Sequence, residues 1–170
     1  MIPRVIVVMG VSGVGKTTIG RALASVEKLR FLDGDGYHSA TSLAKMRSGV
    51  PLDEADRAPW LARLRQIIET ALEGDQSGPG LVIACSALRS AHRRMLARER
   101  EAVRFVFLRG TFNLVSARLA QRQRREAHFM HPGLLRSQLD TLEEPPEGDA
   151  LVVDAALPVH LIVQAIRAAF

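Results

Sequence analysis

Residues 10–17, Gly-Val-Ser-Gly-Val-Gly-Lys-Thr, fit the pattern G-x-x-x-x-G-K-[ST]. Their surroundings fit as well. Val5-Ile6-Val7-Val8-Met9 is a continuous apolar, β-branched run, the signature of a strand buried on both faces of a parallel sheet. The stretch after the glycines reads as a helix, with Ile19, Leu23 and Val26 on one face. Glycines let the backbone curl until its N–H groups share one hollow, and a helix N-terminus adds partial positive charge. Such a cradle holds phosphate oxygens. Gly10, Val11, Ser12, Gly13, Val14, Gly15, Lys16, Thr17 and Thr18 are therefore the candidate nucleotide-binding residues. Lys16 would reach the β- and γ-phosphates of a nucleoside triphosphate, and the Thr17 hydroxyl would ligate Mg²⁺. The loop does not say what receives the phosphoryl group.

Apolar runs recur along the chain at Phe31-Leu32, 81–85, 103–108 and 151–153. Helical patterns lie between them, near 15–27, 40–48, 54–73, 88–98, 113–125, 132–141 and 158–169. Strand and helix alternating in this way predict a parallel sheet covered on both faces. The 170 residues suit one domain, with residues 120–133 as a lid region. Hydrophobic residues are 47% of the chain, enough for a globular core and too many for a disordered one. No apolar run reaches the length of a membrane span. The first four residues lead straight into a strand, which leaves no room for a signal peptide. Cys85 is the only cysteine, which excludes an intramolecular disulfide and fits the cytoplasm. The net charge of +5 admits nucleic acid, a membrane surface or a small anionic ligand as partner.

Phe31-Leu32-Asp33-Gly34-Asp35-Gly36-Tyr37-His38 places two carboxylates two apart at the end of a short strand. Ligands of open α/β sheets bind at those carboxyl ends. If strand geometry holds, Asp33 and Asp35 point to the same side. One would meet Mg²⁺, and the other would hold an acceptor hydroxyl and take its proton. His38 reads either as a substrate ligand or as a locally satisfied side chain. Further on, Asp53 reads as a helix N-cap with Asp56 near the third helical position. Arg57, one turn along, would pair with Asp53 or turn into the cleft to grip a carboxylate. Trp60 and the stripe Leu61, Leu64, Ile67, Ile68, Ala71 and Leu72 read as core. Cys85 reads as a small buried residue, Ser86 as a helix N-cap, and Arg89 as facing either an anion or water. Arg118, Arg122, Arg124 and Arg125 form a basic run. In a small kinase such a segment folds over the nucleotide, and its arginines meet charge on the transferring phosphoryl group.

The ordered set of motifs resembles the gluconate kinases of the small P-loop type, relatives of the shikimate and nucleoside monophosphate kinases. The resemblance spans nearly the whole chain. It rests on the phosphate loop, residues 31–35 with His38, Lys45-Met46, Gly49-x-Pro51-Leu52, Asp56-Arg57-x-Pro59-Trp60-Leu61, Cys85-Ser86-Ala87-Leu88, His128-Phe129, Leu134-Leu135-x-Ser137-Gln138 and Thr141-Leu142-Glu143-x-Pro145. It implies an enzyme that moves the γ-phosphoryl group of ATP to the 6-hydroxyl of D-gluconate. It implies a three-layer P-loop fold whose five parallel strands run in the order 2-3-1-4-5, and a homodimer. Asp33 would sit near Mg²⁺ and Asp35 would act as base. His38, Lys45, Arg57 and His128 would engage substrate, Arg118 would lie against adenine or phosphate, and Arg125 would be the lid arginine.

This sequence departs from the family pattern at several positions. Ser39 and Ser42 stand where the pattern has proline and asparagine, and Gln121 stands at an arginine position of the lid. Arg89 replaces a lysine, and His92-Arg93 replaces a tyrosine–arginine pair. Two other readings compete. One is a kinase for another small polyol acid or sugar. The other is a nucleotide-dependent nucleic-acid-binding protein, which the 5% aromatic content and the lack of any nucleic-acid motif disfavour.

Overall fold

A computed structural model describes residues 3–74, 78–98, 102–125 and 132–170, with the side chains of 123–125 and 132 left out. Five strands form one parallel sheet: β1 (Val5–Met9), β2 (Arg30–Asp33), β3 (Leu81–Ala84), β4 (Val103–Arg109) and β5 (Leu151–Asp154). Their spatial order is β2-β3-β1-β4-β5, as the resemblance implies. Val5 sits opposite Leu81 on one side and Val103 on the other. Seven helices are described: α1 (Lys16–Glu27), α2 (Ala40–Arg47), α3 (Glu54–Glu73), α4 (Ser90–Ala97), α5 (Phe112–Arg125), α6 (Pro132–Thr141) and α7 (Val159–Ala169).

The continuous apolar runs follow from burial on both faces. Val5, Val7 and Met9 of β1 point to one layer, where Trp60, Leu61, Leu64 and Ile68 of α3 and Leu96 of α4 meet them. Ile6 and Val8 point to the other, against Ile19 and Leu23 of α1 and Ile162 and Ile166 of α7. Strands β3 and β4 divide their side chains in the same alternation, Ile83 and Phe107 to the first layer and Val82 and Leu108 to the second. The α3 stripe behaves as expected, with Ile67, Ala71 and Leu72 packed at its margin.

Three local expectations are corrected. Val26 is 52% exposed, and Ala24 closes the buried face of α1 instead. Ser86 is not a helix N-cap. Ala87 adopts a left-handed φ of 41°, the chain turns there, and α4 begins only at Ser90, with Arg89 at the N-cap position. Strand geometry also stops at Asp33. Gly34–Tyr37 wind into a 3-10 turn in which Asp33 is the N-cap and accepts the Asp35 N–H at 3.2 Å. The two carboxylates reach one site through this turn rather than through strand alternation.

Candidate active site

The carboxyl ends of β1, β2 and β3 open into a cleft of about 1270 Å³. The glycine loop leaves β1 at its floor. A Cβ on Gly13 would meet the Leu119 side chain at 2.7 Å, and φ there is +81°, so the loop lies hard against α5. Helix α1 starts without a side-chain cap and without an acidic residue in its first turn. Its N-terminal amides are therefore left for an anion. Lys16 is buried, and its Nζ donates to the Val11 carbonyl at 2.9 Å. Burial lowers its pKa from the usual lysine value, against the opposing pull of Asp35.

The second wall comes from the Asp33–His38 turn. A Cβ on Gly34 would fall 2.6 Å from the Ala84 carbonyl oxygen, so only glycine lets this turn press against β3. The Thr17 hydroxyl donates to Asp33 Oδ2 at 2.9 Å, which brings the two expected metal-ligating groups together. Asp35 is exposed at the cleft. His38 is buried and stacks on Trp60, with ring centroids 4.2 Å apart. Its Nδ1 is buried without a hydrogen-bond partner among the described residues. Burial lowers the His38 pKa, Arg57 adds to the effect, and Asp35 opposes it. Trp60 itself is core, as expected, and its Nε1–H donates to the Gly34 carbonyl at 2.8 Å.

Arg57 lines the cleft, and its ion pair is with Glu54 at 3.1 Å rather than with Asp53. Asp53 is occupied by a capping box. It accepts the Asp56 N–H at 2.8 Å, and the Asp56 carboxylate accepts the Asp53 N–H at 3.1 Å. Lys45 is not among the residues lining the cleft. Its ammonium donates to both oxygens of Asp56 at 2.8 Å. Ser39 caps α2 by accepting the Ser42 N–H at 3.0 Å, and its hydroxyl donates to the buried Ser42 hydroxyl at 2.9 Å. The two serines that depart from the family pattern therefore form the helix start between them.

Arg118 spans the glycine-loop end of the cleft. Its guanidinium donates to the Val14 carbonyl of the glycine loop and to the Ala155 carbonyl after β5, each at 2.7 Å. Arg122 also lines the cleft. The Arg125 side chain and His128 lie outside the described residues. Cys85 is fully buried, and burial pushes its thiol up to about 12, so it is no nucleophile.

Sequence reasoning assigned no role to four contacts around this cleft. Gln138 of α6 accepts the Ser12 N–H through Oε1 at 2.7 Å, tying α6 to the glycine loop. Glu143 caps α4 by accepting the Ser90 N–H at 2.8 Å, and its carbonyl accepts from Arg93 at 2.9 Å. Glu54 receives His92 at 3.0 Å. Gln138 and Glu143 both stand inside motifs that carried the family resemblance, which was the available signal.

Comparison with known proteins decides the family. A family model described as shikimate kinase matches residues 12–145. A gluconokinase from Gluconobacter oxydans is 41% identical over 150 residues, covering 88% of this chain and 81% of that protein. A probable gluconokinase from mouse is 41% identical over 176 residues, with 92% of each chain covered. The chain belongs to the gluconokinase family. The crystal structure of a gluconokinase from Sinorhizobium meliloti superposes with a TM-score of 0.81 at 39% identity, covering 98% of this chain and 90% of that one. A shikimate kinase from Aquifex aeolicus, 17% identical with a TM-score of 0.56, shares the fold. This member of the family is a phosphotransferase with a kinase fold, and its glycine loop, aspartate turn and Arg57 face one another across a single cleft.

Proposed function

We propose that the protein transfers the γ-phosphoryl group of ATP to the 6-hydroxyl of D-gluconate, giving 6-phosphogluconate and ADP. The observation that carries this reading is the joint placement of Asp35, His38 and Arg57 across the cleft from the glycine loop. Asp35 and His38 suit a polyol, and the Arg57 guanidinium suits a carboxylate.

The chemistry follows from those positions. The loop amides and Lys16 hold the triphosphate. The acceptor oxygen attacks the γ-phosphorus in line, and the bond from that phosphorus to the β-bridging oxygen breaks. The hydroxyl proton passes to Asp35, and ADP carries away the electron pair. Mg²⁺, held through Thr17 and Asp33, would neutralise charge on the phosphates. The donor set fits that ion. A hydroxyl and a carboxylate are hard oxygen ligands, and Mg²⁺ takes few protein ligands when it is shared with phosphates. Among the described residues no group of three or more His, Cys, Asp or Glu could hold a metal by itself, and the phosphates and water would complete the shell around Thr17 and Asp33.

Arg118, bound to the Val14 carbonyl, would border the nucleotide. Arg125 as lid arginine and His128 as a substrate ligand enter through the family pattern. Lys45 contributes to substrate binding only by exchanging Asp56 for it. The family resemblance also supplies the homodimer and the cytoplasm as the working state and compartment. No described helix is long and apolar enough to cross a membrane.

The test is acceptor-dependent ADP release with Mg-ATP across D-gluconate, other aldonates, shikimate, glycerate and no acceptor. Turnover on gluconate far above the rest supports the reading. Turnover on another acceptor moves the substrate and keeps the catalytic assignment. Silence on all of them contradicts the kinase reading.

A further inference from the structure

Arg57 is one of the cationic groups lining the cleft, and its side chain is only 11% exposed. A long guanidinium arm must be steered to be useful, because each free rotamer lowers the fraction poised for a ligand. The steering group is Glu54, one turn earlier on α3. Glu54 Oε1 accepts from Arg57 at 3.1 Å and lies 3.6 Å from Arg89 Nε. Its other oxygen, Oε2, is held by His92 Nε2 at 3.0 Å.

The His92 ring cannot drift. It is 3% exposed, and its Nδ1 accepts the Arg89 backbone N–H at 3.3 Å. With Nδ1 accepting, the ring hydrogen sits on Nε2 and is donated to Glu54. The two carboxylate oxygens thus have different tasks, one anchored to the buried face of α4 and one presented to Arg57. Partial burial would raise the Glu54 carboxyl, but the His92 hydrogen bond and the charges of Arg57 and Arg89 outweigh it and pull its pKa below the usual carboxylate value. The helix cap is made by Asp53 and Asp56, so Glu54 is not needed to start α3.

We propose that Glu54, anchored by His92, is a positioning residue that fixes the Arg57 guanidinium for the carboxylate of the acceptor substrate. The inference rests on the gluconate reading and deepens it. It also gives the His92 departure from the family pattern a task, because this histidine supplies the anchoring donor.

The test is steady-state kinetics on the full chain. Glu54→Gln is expected to raise KM for gluconate about tenfold, with kcat and KM for ATP within twofold of wild type. His92→Leu is expected to do the same, and His92→Gln, which keeps an N–H donor, to recover most of the loss. In an Arg57→Met background the Glu54→Gln change is expected to add less than twofold, since its effect passes through Arg57. An unchanged gluconate KM in Glu54→Gln overturns the proposal, as does additivity with Arg57→Met or a parallel rise of both KM values. A wild-type protein without gluconate-dependent turnover sinks the gluconate reading and this inference with it. An active wild type with an indifferent Glu54→Gln sinks the inference alone.

Discussion

The Thr17 hydroxyl and Asp33 Oδ2 lie 2.9 Å apart, joining the first turn of α1 to the end of β2. The contact shows that the glycine loop and the aspartate turn form one site. Thr17→Val removes the hydroxyl at nearly constant volume. It is expected to lower kcat roughly 100-fold, the scale of losing one preorganised polar group at a reacting centre. Asp33→Asn is expected to raise the Mg²⁺ concentration needed for half-maximal rate. Magnesium titrations of both variants check this. An unchanged magnesium requirement in both would remove the pair from the metal site.

Asp35, proposed as the base that takes the acceptor's proton, carries a different expectation. Asp35→Asn is expected to lower kcat about 10²- to 10⁴-fold, the range of general-base catalysis. Nucleotide affinity is expected to stay within twofold of wild type. Steady-state kinetics paired with an equilibrium ADP titration separate the two. A variant that turns over normally would end the role of Asp35 as base.

Trp60 supports the aspartate turn from below through its bond to the Gly34 carbonyl. Trp60→Phe keeps an aromatic ring and removes the donor, losing one buried hydrogen bond at a cost of about 1 kcal/mol. A fall in Tm on the order of 5 °C is expected, with a rise in gluconate KM as the turn and the stacked His38 loosen. Thermal unfolding monitored by circular dichroism checks the first part. An unchanged Tm would mean that the bond contributes nothing.

His38 gives a pH dependence. Burial lowers its pKa below the ordinary 6.5, so the unfolded chain takes up a proton at a higher pH than the folded one does. Above about 6.5 both states are neutral there and the group is without effect. As pH falls from that value through the lowered folded pKa, the unfolded state is favoured and stability is lost. The Tm of wild type is therefore expected to drop more steeply below pH 6.5 than that of His38→Gln. Parallel curves for the two proteins would show that His38 titrates normally.

Much of this was legible because it depends on local pattern. The β1 run announces a doubly buried strand, since every side chain from Val5 to Met9 must face a packed layer. The Asp53–Asp56 cap is written in residue type and spacing alone. What depends on partners distant in sequence was harder to read. Arg57 chose Glu54 over Asp53 because the capping box had already claimed Asp53, and Glu54 was itself held by His92 from another helix, 38 positions away. Lys45 was expected at substrate and is held by Asp56, 11 positions along. The grip of Gln138 on Ser12 spans 126 positions, and no spacing rule reaches that far. Val26 failed for the opposite reason. Its periodicity is correct for the α1 face, yet it stands in the last turn before the left-handed Lys28 and remains 52% exposed.

The most direct test of the account is the identity of the product. The protein, Mg-ATP and D-gluconate are incubated together and the mixture is followed by phosphorus and carbon NMR, with Asp35→Asn run in parallel. The account predicts ADP and a phosphate monoester coupled to C6 of gluconate in equal amounts, formed at least about 100-fold more slowly by the variant. A phosphate on any other carbon, or ADP formed at the same rate with and without gluconate, would contradict it.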